Sequence, residues 1–288
     1  MKWPFTSLRI LLIGVFISLA KGQSPFVMDS TLSSIIPQSI SNSIQIADIN
    51  NDGYNDIIYS GYDPTRSGLF IDVIRGNNEG SLSQGYQTSF TTYPDTIAEF
   101  MGGLGNISLA DVNLDGYIDI YINGSAKSKL LFNSSGSSFN ESSWLENMSV
   151  TYSYGTWADA NMDGRPDLFL MGVNEFSDNI LNELFINQSN NLVKDPTTIF
   201  PSLFTGSNTW GDYDNDGDPD LIISGQTANP NSSVSRLYQN DPIGRLTEVT
   251  TATAIKGFKA GTSHFTDLDS DGDLDLIVTG WNKIEGKL

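Results

Sequence analysis

Five stretches of the chain share a spacing of oxygen donors that suits a hard divalent cation. The most acidic is Asp267-Leu268-Asp269-Ser270-Asp271-Gly272-Asp273-Leu274-Asp275, followed by the apolar run Leu276-Ile277-Val278 and then Thr279-Gly280. The same pattern begins at Asp48, Asp111, Asp159 and Asp212. In every copy position 1 is Asp, position 3 Asn or Asp, position 5 Asp, position 6 Gly, position 9 Asp and position 14 Gly. Calcium takes six to eight oxygen ligands, which a short loop can wrap around it. Side chains at positions 1, 3, 5 and 9 and the backbone carbonyl at position 7 would supply most of that shell. The first loop thus offers Asp48, Asn50, Asp52, Tyr54 and Asp56, and the second Asp111, Asn113, Asp115, Tyr117 and Asp119. The third offers Asp159, Asn161, Asp163, Arg165 and Asp167, and the fourth Asp212, Asp214, Asp216, Asp218 and Asp220. In the fifth they are Asp267, Asp269, Asp271, Asp273 and Asp275. Glycine at position 6 permits a sharp turn that a Cβ disfavours.

An EF-hand opens the same way but needs a bidentate Glu at position 12 and flanking helices. Position 12 here is Tyr59, Ile122, Leu170, Ile223 or Val278, none of which can ligate. The residues after position 9 are short apolar runs rich in β-branched side chains that end in Gly, the pattern of a buried strand. The expectation is therefore structural calcium, up to five ions, because a catalytic centre is single whereas this site recurs in every unit. Loops four and five should bind more tightly, since Asp214 and Asp269 replace Asn50, Asn113 and Asn161 and ligand charge tunes affinity.

The chain has 288 residues and a net charge of −19, and the five loops hold 19 of its 34 acidic residues, so the acidity is local. With only 15 Lys plus Arg it should repel phosphate backbones and anionic membrane surfaces, which argues against nucleic-acid binding. Cysteine is absent. Metal sites are then the natural staples.

Residues 1–22 combine Lys2 and Arg9, an apolar run from Ile10 to Leu19, and small residues before Gln23, the pattern of a secretory signal peptide. The run is short for a bilayer span, and a signal anchor is the alternative. A secreted product, or one on the extracellular face of the membrane, is expected. Seven Asn-x-Ser sequons begin at Asn106, Asn123, Asn133, Asn140, Asn147, Asn187 and Asn231, which suits a glycoprotein in which the modified ones lie on the surface.

The first aspartates of the loops lie 63, 48, 53 and 55 residues apart, a period that signals a β-propeller or similar array. Repeats are placed around 43–92, 106–150, 155–200, 208–253 and 262–288. Each opens with an inner strand (Ser43 to Ile46, Ile107 to Leu109, Thr156 to Trp157, Thr209 to Trp210, Ser263 to Phe265) that runs into the loop. The apolar run leaves as the second strand, and third strands follow at Leu69 to Arg75, Lys129 to Asn133, Glu183 to Asn187 and Arg236 to Asn240. A fourth comes after a turn, as in Gly244 to Val249. Phe26 to Ile36 resembles an isolated fourth strand, and the fifth unit stops short of its third. An all-β propeller over residues 23–288, incomplete and with about five blades visible, is expected, from either a truncated chain or an open array.

These repeats resemble the FG-GAP/VCBS family, the units of integrin α-subunit propellers. The resemblance rests on the D-x-[DN]-x-D-G-x-x-D loop with its apolar strand, with weaker echoes at Tyr154-Gly155 and Leu237-Tyr238-Gln239-Asn240. It implies calcium loops between the first and second strands of each blade, on one face of the propeller, and a binding or adhesion role toward extracellular protein or glycan. A lectin-like propeller is the alternative, and a hydrolase or lyase on the same scaffold a remoter one. No catalytic residue is assigned: His264 has no legible Ser or Cys partner, and Gly102-Gly103-Leu104-Gly105 lacks the Lys-Ser/Thr of a phosphate loop. Trp157, Trp210 and Phe265, two residues before their first aspartates, match Ile46 and Leu109 in the other units and are expected in the core. The connections Tyr93 to Gly105 and Thr197 to Ser207 are the expected ligand face.

Overall fold

A computed structural model describes residues 9–281 apart from 13–14, 19–26, 29–39, 64–67, 79–82, 92–105, 124–127, 146–149, 175–178, 229–231 and 253–254. Three short strands at the N-terminus, β1 (Arg9–Leu12), β2 (Val15–Ser18) and β3 (Val27–Met28), form a small sheet of their own. The described residues of the apolar run from Ile10 to Leu19 thus lie in β1 and β2. The expected isolated strand between Phe26 and Ile36 is described only as β3, which pairs with β2. Among the described residues no helix is long and apolar enough to cross a membrane.

Four complete four-stranded antiparallel sheets follow, in the blade arrangement of a propeller. The first holds β4 (Ile40–Ala47), β5 (Asp56–Asp63), β6 (Gly68–Arg75) and β7 (Ser83–Thr91), and the second β8 (Asn106–Ala110), β9 (Asp119–Asn123), β10 (Lys129–Ser134) and β11 (Ser138–Glu141). The third holds β12 (Val150–Ala158), β13 (Asp167–Asn174), β14 (Ile180–Asn187) and β15 (Leu192–Lys194), and the fourth β16 (Phe204–Gly211), β17 (Asp220–Gln226), β18 (Ser233–Gln239) and β19 (Thr247–Glu248). A fifth sheet has two described strands, β20 (Lys259–Thr266) and β21 (Asp275–Trp281). First strands of consecutive sheets meet in chain order, β4 with β8, β8 with β12, β12 with β16 and β16 with β20. Polar side chains link them: Gln45 Nε2 donates to the Ile107 carbonyl at 3.1 Å and Asn208 Nδ2 to the Tyr154 carbonyl at 3.1 Å.

The apolar runs after each loop are continuous because both faces of a blade are buried. Along β13, Leu168 and Leu170 point into the core shared with the second blade, and Phe169 and Met171 into the core shared with the fourth. β9 does the same, with Ile120 and Ile122 toward the first blade and Tyr121 toward the third. In the fifth sheet Ile277 and Val278 are each 37% exposed, whereas Ile222 and Ile223 at the same positions are fully buried.

The inner strands are longer than the sequence indicates, reaching nine residues in β12. They continue backwards through bulges between Thr151 and Tyr154, Phe204 and Ser207, and Lys259 and Thr262. At two of these bulges Thr205 and Ala260 take φ of 51° and 50°, with Gly206 and Gly261 next. A Cβ on Gly206 would lie 1.7 Å from the Ser224 carbonyl oxygen, so backbone meets backbone at a point no side chain can occupy. Replacing Gly206 by Ala should cost about 3 kcal/mol or more by overpacking. Denaturant unfolding followed by tryptophan fluorescence would show that loss directly.

Trp157 and Trp210 pack edge-on against Tyr121 and Phe169, as expected of core residues. Phe265 lies against Gly211, where a Cβ would come within 2.7 Å of its ring. Ile46 departs from the pattern: it is 64% exposed, so the equivalence with Trp157 fails in the first unit.

Candidate metal centre

Each acidic loop joins the first and second strands of its sheet, and its hydrogen bonds repeat from copy to copy. The position 1 carboxylate accepts two backbone N–H groups, as Asp159 does from Asp163 at 2.9 Å and Gly164 at 2.7 Å. Asp163 in turn accepts the N–H of Arg165, at position 7, at 3.0 Å. Position 6 glycines have φ between 86° and 97°. Position 4 is also left-handed although never glycine: Asn51, Leu114, Met162, Asn215 and Ser270 have φ of 57°, 58°, 59°, 58° and 64°. For Leu114 and Met162 this costs roughly 1–2 kcal/mol. A loop held in such a conformation by converging carboxylates is organised for something at its centre.

The donor set fits a hard cation. One carboxylate oxygen from each of Asp212, Asp214 and Asp216 lies within 4.8 Å of the others, and the same holds for Asp267, Asp269 and Asp275. Asp218 Oδ2 is buried with no hydrogen-bond partner among the described residues. Like charges this close repel one another unless a cation offsets them. Positions 1, 3, 5 and 9, with the carbonyl of position 7, are the groups that would hold calcium; among the described residues three carboxylates converge this closely in the fourth and fifth loops. Calcium there would supply charge neutralisation and a fixed coordination geometry, with no chemistry of its own.

Position 9 has a second role that spacing does not reveal. Asp56, Asp119, Asp167 and Asp220 are fully buried, and each clasps its loop to its blade. Asp167 Oδ2 accepts the N–H of Ala160 at 3.0 Å, and its Oδ1 accepts that of Asn187, at the end of the third strand, at 2.8 Å. Asp119 and Asp220 repeat this with Asn133 and Asn240, and Asp56 with Gly76, all at 2.8 Å. In the fifth loop Asp275 keeps the bond from Leu268, at 3.0 Å, and is exposed.

The same asparagines bolt one blade to the loop of the blade before it. Asn133 Nδ2 donates to the Ile49 carbonyl at 2.8 Å, Asn187 Nδ2 to Val112 at 2.8 Å and Asn240 Nδ2 to Ala160 at 2.7 Å. Ile49, Val112 and Ala160 all stand at loop position 2, and their side chains are buried in the inter-blade cores. Position 2 therefore gives its N–H to its own blade, and its carbonyl and side chain to the next. Gly136 and Gly244, at φ of 74° and 79°, complete the contact: a Cβ on either would meet Asn50 Cα at 2.5 Å or Asn161 Cα at 2.8 Å. Sequence reasoning placed these asparagines only at strand ends, although Asn133, Asn187 and Asn240 recur there visibly. Two of them also begin sequons, and with their amide nitrogens buried and bonded in this way neither Asn133 nor Asn187 can carry a glycan in the folded protein. Asn140 is exposed, while Asn147 and Asn231 lie outside the described residues.

Burial, opposed by the two backbone N–H bonds, raises the pKa of these clasping carboxylates: to about 6 for Asp119 and Asp220, to about 7 for Asp167, and upward for Asp56. Between the ordinary value of 3.8 and these values the folded chain holds protons that the unfolded chain has released, so stability falls as pH rises. In chelator the melting temperature should thus be higher at pH 5 than at pH 7.5. Saturating calcium favours the ionised carboxylates and should flatten or reverse the trend, which scanning calorimetry can follow.

His264 is exposed, with its Nε2 3.1 Å from Thr262 Oγ1. Gly102 to Gly105, and with them the whole Tyr93 to Gly105 connection, lie outside the described residues.

Comparison with known proteins agrees with this repeat structure. The FG-GAP-like repeat family matches residues 48–122, 111–170, 159–223 and 212–278. A lectin of Agrocybe aegerita that recognises non-reducing terminal N-acetylglucosamine superposes with a TM-score of 0.55 at 15% identity, over 94% of this chain and 74% of the lectin. A Photorhabdus luminescens Tc holotoxin pore structure aligns at a TM-score of 0.46 and 15% identity, over 94% of this chain and 12% of the other. No curated protein sequence matches it.

Proposed function

The chain belongs to the FG-GAP-like repeat family, and we propose that it is a secreted or cell-surface, calcium-stabilised propeller module that binds extracellular protein or glycan partners. The observation that carries this reading is the bolt at position 2, where a loop with the donor set of a calcium site also forms the joint between blades. The loops are then scaffold, and recognition falls to the connections that the scaffold holds in place. A binding protein fits better than an enzyme, because the acidic groups recur in every unit while catalysis needs one asymmetric arrangement. The fold shared with a sugar-binding lectin favours glycan among the partners, and residues 1–22 carry the secretion part of the proposal. Net charge of −19 speaks against nucleic acid.

The test is retention of the calcium-loaded protein on immobilised extracellular-matrix glycoproteins and on their deglycosylated forms. Retention that disappears in chelator is expected. No retention on any of them in calcium would overturn the reading.

A further inference from the structure

A cavity of about 350 Å³ opens on the outer side of the third blade, between β14, β15 and the connection from Asp195 to Leu203 that leads into the fourth. It is at the small end of the range for ligand sites. Its walls are pre-formed. The Asp195 carboxylate accepts the N–H of Thr197 at 3.0 Å, the hydroxyl of Thr197 at 2.7 Å and the N–H of Thr198 at 3.3 Å, which pins the connection. The Asp195 N–H is itself bonded to the Leu184 carbonyl at 2.8 Å. Phe200 is locked edge-on against Phe169 and Tyr238.

Two lining groups are polar and unsatisfied. Asn182 is 8% exposed, and its Nδ2 donates to the Pro201 carbonyl at 2.6 Å, while its Oδ1 has no hydrogen-bond partner among the described residues. The buried Thr198 Oγ1 also has none. Buried polar atoms left this way are costly, and a ligand or water that meets them removes the cost. At the rim Glu183 and Lys194 form an ion pair, so the pocket presents both a charged donor and a charged acceptor with no net charge between them. Ile199, also lining the cavity, is 90% exposed, an apolar side chain that burial against a ligand would favour.

We infer that this cavity binds one terminal residue of a neutral saccharide, with its hydroxyls toward Asn182, Glu183 and Lys194 and an apolar ring face on Ile199. Glu183 and Lys194 are paired and the Asp195 carboxylate is taken up by Thr197 and Thr198, so the lining offers a charged ligand no charge without a partner. This inference deepens the binding-module reading and rests on it. None of the residues that line it belongs to an acidic loop.

The test is saturation-transfer NMR on the calcium-loaded full chain with the methyl glycosides of glucose, galactose and N-acetylglucosamine. Glu183→Gln, Lys194→Met and Ile199→Lys serve as variants, and Ile243→Ala, on the exposed turn of the fourth blade, as control. Binding of at least one glycoside is expected, weakened about tenfold by each of the first three and unchanged in the control, with circular dichroism and calcium-dependent melting preserved throughout. Glycoside binding that ignores all three variants would overturn the site while leaving the module reading intact. Retention on deglycosylated proteins with no glycoside binding would overturn the saccharide assignment alone. No binding of either kind would overturn both.

Discussion

Removal of divalent cations by excess chelator is expected to lower the melting temperature of the protein by about 10 °C or more. A site at 100 times its Kd stabilises the folded state by about 2.7 kcal/mol, and each kcal/mol is worth roughly 2–4 °C for a domain of this size. Two occupied loops already reach that figure. The effect should be cooperative, because position 2 of a loop is at once part of the acidic turn and part of the next blade's core. Loosening the turn around Asp111 frees the Val112 carbonyl that holds Asn187, and with it the joint between second and third blades. Loops four and five, with five carboxylates each, should suffer most, since without calcium their charges have the least relief.

Substitutions in the third loop should separate the clasp from the ligand shell. Asp167→Ala leaves the N–H groups of Ala160 and Asn187 without their acceptor in a fully buried site, a cost of about 2–6 kcal/mol at roughly 1–3 per group. That part of the loss should appear already in chelator. Asp163→Ala, at exposed position 5, gives up the Arg165 N–H bond and a ligand, so most of its cost should appear only with calcium present. Urea unfolding of both variants, each with and without calcium, measures the difference. Equal calcium dependence in the two would mean that Asp167 acts as a ligand and nothing more.

The loops and their strands were legible because both follow from short-range rules. Asp at fixed spacing announces the acidic turn, and Gly at position 6 announces the backbone that φ values of 86° to 97° display. Continuous apolar runs announced strands buried on both faces, as Phe169 and Leu170 in opposite cores show. The joints between blades were not legible, because they link residues 75 to 84 positions apart through one amide and one carbonyl. Asn133 and Asn187 looked like glycan acceptors for the same reason: a sequon records local sequence, and burial is set by the neighbouring blade. Bulges and the left-handed Leu114 and Met162 escaped too, since nothing in their side chains favours such backbone. For the ligand face, the expected connection Thr197 to Ser207 runs into β16 from Phe204 onward, and the polar groups of Asn182 and Glu183 that line its cavity lie within a strand.

Crystals grown in millimolar calcium, with anomalous scattering recorded at each loop, address the joint between metal and fold most directly. The expected map has an ion in each loop, ringed by oxygens at about 2.3–2.6 Å from positions 1, 3, 5, 7 and 9, with the Asn133, Asn187 and Asn240 bonds in place. Loops that keep those same bonds around an empty centre would show that the acidic turns hold the blades together without metal.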